Sequence, residues 1–508
     1  MRKTFRAVLV GLFAAAAVLS ACGSNTSSTT GGTSASATSV PASENGAAAT
    51  APTTNNTASA WTGTITMFAQ QYTPNKTGDA TPLTALREIA DEYQKLHPGI
   101  TIEFIDEEFQ GYNDIVRTKA AAGELWDVYW AQWASLSGTL PEGVAVDLAP
   151  YFQQKNPYIA DTATWQDAMN QTIVNETAAP SGARYNINGD FVATAFFYNK
   201  KLFAQAGITT PPTTWPELIE ASQKLQAVNI PAVVHVPLYS WWQRHFLSDF
   251  YAKDYDTIAG FDKAQGISAL DEAVAIRKGI LNVDDPRFIG WWPTFKDLTQ
   301  YWVQDYITRP PDDNEAAFQD FLGGKAAMIY SGSWLPNQIR DADPNFEFAS
   351  FNFPVLDTQV NQYSTSTNSS NAVGGPNAGF QYAMSTPRAN KTMEEPGKTE
   401  AVLDWLRYIG TPQVVERVVN EDGSYIPTWP GTKPLAGVEL LADQANQRLR
   451  AIQVGSSSAQ LDADLQRTFG LYLSGNIDIE QAKSEVGDAL NRAADDYITK
   501  NNVNIDQY

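Results

Sequence analysis

Apolar positions along this chain change repeatedly from the spacing of a β-strand to the spacing of a helix. Residues 64–68 form a short β-like run, and the apolar side chains over 83–96 recur at helical intervals. Thr81 and Pro82 offer an N-cap and a first-turn proline for that helix, and alternation over 100–104 predicts the next strand. This order predicts a βαβ unit, in which helices cover a parallel sheet.

Two further helices are indicated by their starts. Thr214 and Glu217 are spaced as a capping box, which predicts a helix that continues towards Leu225. Asp478 precedes a line of apolar residues that predicts a C-terminal helix: Ala482, Val486, Ala489, Leu490, Ala493 and Tyr497. The sequence contains no repeat of fixed period, and its fold class is predicted to be α/β.

The first sixty residues predict export and a lipid anchor. Residues 1–21 combine a cationic start with an apolar run over 7–19 that is shorter than the ~20 residues needed to span a bilayer, as in a secretory signal peptide. Cys22 is the only cysteine and ends a stretch resembling a bacterial lipobox, so we expect it to be lipidated. The alternative is a plain signal peptide with an incidental cysteine. Residues 22–60 are rich in Ser, Thr, Ala and Gly, which predicts a flexible tether.

Charge and aromatic content narrow the set of partners. The 508-residue chain carries a formal net charge of −21, which argues against nucleic acid and anionic ligands, although acidity also keeps exported proteins soluble. With three histidines (His97, His235 and His245) and one cysteine, a zinc or transition-metal site is disfavoured, and no cofactor is expected. The 14 Trp, 21 Tyr and 23 Phe provide flat rings that suit sugar faces, although most of the tryptophans are expected in the core.

Several blocks in the body carry a more specific signal. The strongest reads Phe-Tyr-Asn-Lys-Lys-Leu-Phe over 197–203, followed by Ala-Gly-Ile and then Pro-Pro-Thr-Thr-Trp-Pro-Glu-Leu. The blocks are residues 126–129, 197–203, 206–208, 211–218, 318–321, 324–328, 332–334, 374–375 and 423–427. In this order they resemble the family of extracellular solute-binding proteins that includes the maltose-binding proteins.

The resemblance implies a periplasmic-binding-protein-like fold of two α/β lobes, with a hinge that the chain crosses more than once and a ligand cleft between the lobes. By analogy, lobe 1 comprises residues 61–190 plus 332–378, and lobe 2 comprises 191–331 plus 379–508. In the family such clefts close by hinge motion. At Asn188–Gly189 this chain departs from the family, which usually has a proline there.

The predicted ligand-binding residues follow from the fold and from the resemblance. Ligands of parallel α/β lobes meet the loops at the carboxyl ends of strands, and these loops carry the four amide and aromatic candidates of lobe 1. The resemblance adds an aspartate, and stacking adds four aromatic rings. The full set is Gln70, Gln71, Gln132, Trp133, Asp190, Trp241, Trp242, Trp334 and Tyr425. Each also has a structural interpretation, such as a cap for Asp190 or hinge packing for Trp334, and Asp127 is interpreted as structural.

Together with the aromatic composition, the resemblance implies the substrate-binding component of an ABC importer, a monomer without catalytic residues that binds a mono- or oligosaccharide and contacts permease subunits. It would be anchored to the cell membrane and face the periplasm or the cell exterior. A cationic or other polar solute is an alternative, because cation–π contacts would suit an acidic, aromatic chain. A role in sensing or adhesion also stays open. The alternative from another class is a surface glycoside hydrolase. It would need two carboxylates across a sugar, which the 56 acidic residues could supply, but no segment resembles a glycosidase motif.

Overall fold

The computed structural model describes residues 61–74, 82–107, 111–136, 140–179, 181–234, 239–261, 267–309, 314–376, 378–436, 438–446, 451–455 and 457–508. The predicted signal peptide, Cys22 and the tether, together with Thr81 and His235, lie outside the described residues. All of the described residues belong to the compact unit Asn55–Tyr508.

The secondary structure of this part alternates between strands and helices, as the apolar pattern predicts. The strands are β1 (Gly63–Phe68), β2 (Ile100–Phe104), β3 (Val128–Trp130), β4 (Asn186–Asn188), β5 (Asp190–Phe191), β6 (Thr194–Asn199), β7 (Val233–Val234), β8 (Met328–Gly332), β9 (Phe348–Phe351), β10 (Gln381–Met384) and β11 (Ile426–Pro427). The helices are α1 (Ala85–Leu96), α2 (Tyr112–Ala122), α3 (Ala149–Phe152), α4 (Gln171–Glu176), α5 (Lys200–Gln205), α6 (Trp215–Ala227), α7 (Tyr239–Phe250), α8 (Tyr255–Ile258), α9 (Ala269–Arg277), α10 (Pro286–Ile289), α11 (Trp291–Thr299), α12 (Asn314–Leu322), α13 (Leu335–Ala342), α14 (Lys398–Ile409), α15 (Pro412–Asp422), α16 (Glu439–Ala442), α17 (Ala459–Leu473) and α18 (Ile479–Asn501).

The first sheet has the order β2-β1-β3-β10-β4, in which β2 and β3 pair parallel to β1 and β10 pairs antiparallel to both of its neighbours. Parallel pairing of β1 and β2 around α1 confirms the predicted βαβ unit. Helix α1 begins at Ala85 with Thr84 at its N-cap position, so the predicted start at Thr81 and Pro82 is wrong. Its capping acceptor comes from another helix, because the carboxylate of Glu421 accepts from the amides of Thr84 and Ala85, each at 2.8 Å.

The second sheet has the order β7-β8-β6-β9, and its strands alternate between two apolar clusters. Phe196 and Tyr330 face the cluster packed by α7, α11, α17 and α18, whereas Phe197 and Ile329 face the opposite cluster. The predicted capping box at Thr214 is present and opens α6. Asp478 caps α18, whose buried face contains the predicted residues from Ala482 to Ala493.

Three chain segments pass between the two sheets. The first follows β4 through β5 to β6, the second runs from β9 to β10, and the third leaves β11 for α17 and α18. Strand pairing therefore differs from the predicted lobe boundaries, because β9 joins the second sheet and β10 joins the first. The physical reason is hydrogen-bonded pairing. Strand β9, predicted in lobe 1, pairs with β6 of the second sheet, and β10, predicted in lobe 2, lies between β3 and β4 of the first sheet.

The segments meet where β5 pairs with β11 and where Val192 forms a bridge with Gly375. We call residues 189–192, 375–380 and 422–427 the junction, apart from residue 377, which is not described. Among the described residues, no helix is both long and apolar enough to cross a membrane.

Candidate functional site

The loops that carry the first-sheet candidates lie at one edge of the sheet. Gln70 and Gln71 follow β1, and Gln132 and Trp133 follow β3, as predicted. Gln70 adopts a left-handed backbone with φ 53°, which turns the chain sharply at the end of the strand. The amide of Trp133 donates to the side-chain oxygen of Gln381 at 3.1 Å. Gln381 therefore ties the loop after β3 to the start of β10.

Gln71 and Tyr425 come together around a glycine. A Cβ on Gly379 would lie 2.8 Å from the ring of Tyr72, 3.0 Å from Gln71 and 3.2 Å from the ring of Tyr425. Only glycine leaves room for these three side chains at that point. The Gln71 amide also donates to the carboxylate of Asp422 at 2.9 Å, so the loop after β1 is fixed to the junction.

Asp190 lies at the centre of the junction with no exposed surface. Its Oδ2 accepts hydrogen bonds from the Tyr72 hydroxyl at 2.6 Å and from the amides of Gly379 and Phe380 at 3.0 and 2.9 Å. Burial raises the pKa of Asp190 to about 7, against the three donors, and the charge of Asp422 adds to the rise. Asp190 lies in strand β5 and not at the start of a helix, so its alternative interpretation as a cap is wrong, and direct contact with a ligand stays a prediction.

Trp334, which follows β8, and Trp241 of α7 form a partly buried pair beside the second sheet. Their rings meet edge to face with centroids 6.2 Å apart, and Trp241 also contacts the ring of Tyr330 at 6.1 Å. A Cβ on Gly332 would lie 2.1 Å from the Trp334 ring, so a glycine is required beneath it. The hydroxyl of Ser333 donates to the carbonyl of Ser424 at 3.0 Å, which places this pair beside the junction.

Trp242 is buried in the core of the second sheet, which corrects the prediction that it lines the site. Its ring has no exposed surface and packs on Phe295 at 4.5 Å and on Tyr330 at 5.2 Å between centroids. The reason is helical phase, since consecutive residues of α7 point to different sides of the helix. Trp291 and Trp292 are likewise fully buried.

His245 lies beneath the aromatic pair. Its Nδ1 is 2.8 Å from the carbonyl oxygen of Ser369, its Nε2 contacts the hydroxyl of Tyr330, and its ring stacks on Phe353 with centroids 3.8 Å apart. Burial lowers the pKa of His245 to about 3, so the imidazole is neutral and Nδ1–H donates to Ser369. This side chain therefore holds the polar segment around 364–371 against α7.

Sequence reasoning missed Tyr72, Gln381 and Asp422. Asp422 directly precedes the 423–427 block, and that neighbourhood was the one available signal. Tyr72 and Gln381 carry no local signal, because their roles depend on partners more than a hundred residues away in the chain. Asp127 is structural as interpreted: its buried carboxylate accepts from Thr66 and Asn390 and pairs with Lys398 at 3.0 Å.

The assembled groups are suited to binding. Amide side chains donate and accept hydrogen bonds, and the tryptophan and tyrosine rings offer flat apolar faces. In the described part of the chain, no group of three or more His, Cys, Asp or Glu is placed to hold a metal ion. Three surface cavities of about 310, 550 and 450 Å³ are lined by residues other than the nine candidates. The arrangement fits a polar ligand with a flat apolar face.

Comparison with known proteins agrees with this arrangement. The family model described as bacterial extracellular solute-binding protein matches residues 77–416. A proposed binding protein of Brucella abortus (strain 2308) is 24% identical over 307 residues, which are 57% of this chain and 63% of the relative. The match therefore spans less than two thirds of that relative's length.

Two solved structures share the fold. The GacH receptor of Streptomyces glaucescens GLA.O has a TM-score of 0.57 at 17% identity, covering 86% of this chain and 100% of the receptor. The cyclic alpha-maltosyl-1,6-maltose binding protein of Arthrobacter globiformis has a TM-score of 0.57 at 17% identity, covering 85% and 99%. At this identity the likeness concerns the fold, which is the predicted α/β fold of two lobes with a hinge and a cleft.

Proposed function

This chain belongs to the family of bacterial extracellular solute-binding proteins, and from that premise we propose that it binds a carbohydrate in the cleft between its lobes. The ligand would be a mono- or oligosaccharide. The carrying observation is the Trp241–Trp334 pair, whose partly buried rings stand beside the junction that also holds Gln71 and Tyr425. Sugars combine an apolar face for such rings with hydroxyl groups for amide side chains.

Two neighbours support a sugar over other solutes. The GacH structures include complexes with acarbose and an acarbose homolog, and the Arthrobacter protein is named for a cyclic maltosyl sugar. The proposed contacts in this chain are Gln70, Gln71, Gln132, Trp133, Trp241, Trp334 and Tyr425, with Asp190 and Trp242 supporting them from within the fold.

The proposal extends to transport. The family's extracellular role supports export, and we infer that Cys22 carries a lipid anchor and residues 22–60 a tether. A monomer held in this way would present the closed, liganded lobes to ABC permease subunits. We propose lobes that follow the sheets, so that residues 381–384 move with the first sheet and 348–351 with the second.

A cationic or other polar solute is the second candidate. Asp422 is partly exposed beside the Tyr425 ring, and a carboxylate next to an aromatic ring suits an ammonium group. A glycoside hydrolase gains no comparable support, because Asp190 is fully buried and the family binds solutes.

A thermal-shift screen of the full chain against sugars, polyamines, betaines and amino acids tests the proposal. A ligand at 100 times its dissociation constant should stabilise the fold by about 2.7 kcal/mol. The expected result is a shift with one class of sugar, with no turnover of that sugar. A shift only with cationic solutes would replace the carbohydrate proposal, and release of shorter sugars would overturn the binding role.

A matched pair of variants then locates the site. Trp334→Ala should reduce the shift at a fixed sugar concentration, whereas Trp61→Ala should leave it unchanged. Trp61 is a suitable control because it is also partly buried but its indole donates to Glu395 at 3.1 Å, on the first-lobe side. Equal loss in both variants would contradict the proposed position of the cleft.

A further inference from the structure

The junction contains a buried carboxyl group that connects segments from distant parts of the chain. Asp190 lies in β5, which pairs with β11. Its Oδ2 accepts from the turn after β1, through Tyr72, and from the segment before β10, through Gly379 and Phe380. A single oxygen atom thus joins the first passage between the sheets to the second passage and to a candidate ligand-binding loop.

The titratable side chains that face this carboxyl group are acidic or phenolic. Asp422 faces it from the end of α15, Tyr72 from the turn after β1, Tyr382 from β10 and Tyr425 from the start of the β11 segment. Burial raises the pKa of Tyr72, Tyr382 and Tyr425, and the charge of Asp190 adds to each rise. The tyrosines are therefore neutral, and Asp422 adds a repelling charge.

The second carboxyl oxygen is placed to take a proton. Oδ1 of Asp190 is buried and receives no hydrogen bond from the described residues, whereas Oδ2 is already surrounded by three donors. A proton from solvent can therefore be held on Oδ1 without displacing the contacts of Oδ2. Deprotonation returns that proton to water and leaves a buried charge that has three donors and lies close to the charge of Asp422.

We propose that Asp190 is a proton-responsive latch of the junction: it positions the Gln71–Tyr72 turn and residues 379–380 against β5, and the closed junction resists opening most when Asp190 is protonated. Opening the junction would expose the carboxyl group to water, where its pKa is the ordinary one near 4. In the closed junction burial raises this pKa to about 7. The raised value favours the protonated, closed form, so opening becomes easier as the pH rises from about 4 to 7.

Hydrogen exchange at the amides of Gly379 and Phe380 measures this latch directly, because both amides donate to Asp190. In the full chain without added ligand, the opening constant of these amides, corrected for intrinsic exchange, should rise about tenfold per pH unit from pH 5 to pH 7 and then level off. In Asp190→Asn the corrected constant should not change with pH. An unchanged pH profile in Asp190→Asn would overturn the proposal, as would a flat profile in the natural chain.

Two further variants keep the test decisive if Asp190→Asn does not fold. Tyr72→Phe removes a donor that favours the charged form, so the levelling-off should move to higher pH. Asp422→Asn removes the charge that faces Asp190, so the pH at which the opening constant levels off should fall. Shifts in the same direction, or no shift in either variant, would overturn the proposal.

A second buried carboxylate serves as the control. Asp249 has no exposed surface and accepts from Ser364, Thr365 and Thr367, and burial raises its pKa also, but it lies in α7 of the second lobe. Asp249→Asn should leave the pH profile at Gly379 and Phe380 unchanged. Loss of that profile in Asp249→Asn would show that it reports general stability, which would overturn the latch. None of these measurements needs a sugar, so their outcome is independent of the proposed function.

Discussion

The junction and the core of the second sheet each bury one titratable side chain, Asp190 and His245 respectively, and the two respond to pH in opposite directions. Burial raises the pKa of Asp190 to about 7 and lowers that of His245 to about 3. In both cases the neutral form is favoured, because a charge loses hydration inside the fold. The acid becomes neutral by gaining a proton and the imidazole by losing one. Their contributions to stability therefore have opposite slopes, which oppose each other in the natural chain.

The largest expected effect is the pH dependence of the unfolding free energy that His245 contributes, which a variant separates from that of Asp190. Between pH 6.5 and 3 the unfolded chain protonates this imidazole and the folded chain does not, so the folded state loses stability as the pH falls. From pH 7 to pH 4 this loss should be about 3 kcal/mol. The His245→Gln variant should not show this loss. Urea unfolding measures the unfolding free energies of the natural chain and the variant, and the difference between them should therefore change by about 3 kcal/mol from pH 7 to pH 4. Parallel stability curves would contradict the assignment.

The Asp190 contribution should be nearly as large and opposite in sign. The folded chain keeps the proton up to about pH 7 and the unfolded chain loses it near pH 4, so stability falls as the pH rises through that window. From pH 5 to pH 8 the loss should be about 2.5 kcal/mol. Asp190→Asn should therefore gain relative to the natural chain at pH 8, in the same urea measurement. His245→Gln is the matched control, and slopes of equal sign in the two variants would contradict the comparison.

The sequence predicted the fold and the strand ends that carry Gln70, Gln71, Gln132 and Trp133, because those features depend on local pattern. The βαβ unit, the capping box at Thr214 and the α18 face are set by residues close together in the chain, and the structure confirms them. The tryptophan doublet shows the limit. Trp241 and Trp242 are chemically identical, and only the phase of α7 leaves the Trp241 ring partly exposed against Trp334 and buries the Trp242 ring in the core.

Features that depend on distant partners could not be predicted. The start of α1 is set by Glu421, which lies more than three hundred residues further along the chain. The lobe boundaries depend on which sheet accepts β9 and β10, and a short apolar strand carries no mark of its partner. The burial of Asp190 likewise depends on Tyr72 and on residues 379–380, so its latch-like surroundings appear only in the structure.

Trp334 lies between the two regions, and its removal tests whether they share a ligand. The neighbouring residue Ser333 donates a hydrogen bond to Ser424 of the junction. The Trp334 ring contacts the Trp241 ring, which in turn packs on Tyr330, the residue that contacts His245. Trp334→Ala should weaken binding of the sugar found by screening about tenfold, since one aromatic contact contributes about 0.5–1.5 kcal/mol beyond its area. Calorimetric titration measures this, with Trp61→Ala as the control. Unchanged affinity in Trp334→Ala would remove this ring from the proposed site.

The smallest expected effect concerns communication between the two regions. Asp190 and His245 share no hydrogen-bond partner among the described residues, so the unfolding free energies of Asp190→Asn and His245→Gln should add within about 0.5 kcal/mol at pH 6. One polar route does run between them. The hydroxyl of Thr194 lies 2.8 Å from that of Tyr330 and donates to the carbonyl of Val373 at 3.1 Å, close to the bridge between Val192 and Gly375. A coupling free energy above about 1 kcal/mol in the double variant would mean that the protonation of one residue affects the other through this route. The pH dependences of stability contributed by Asp190 and His245 would then have to be treated as one linked equilibrium.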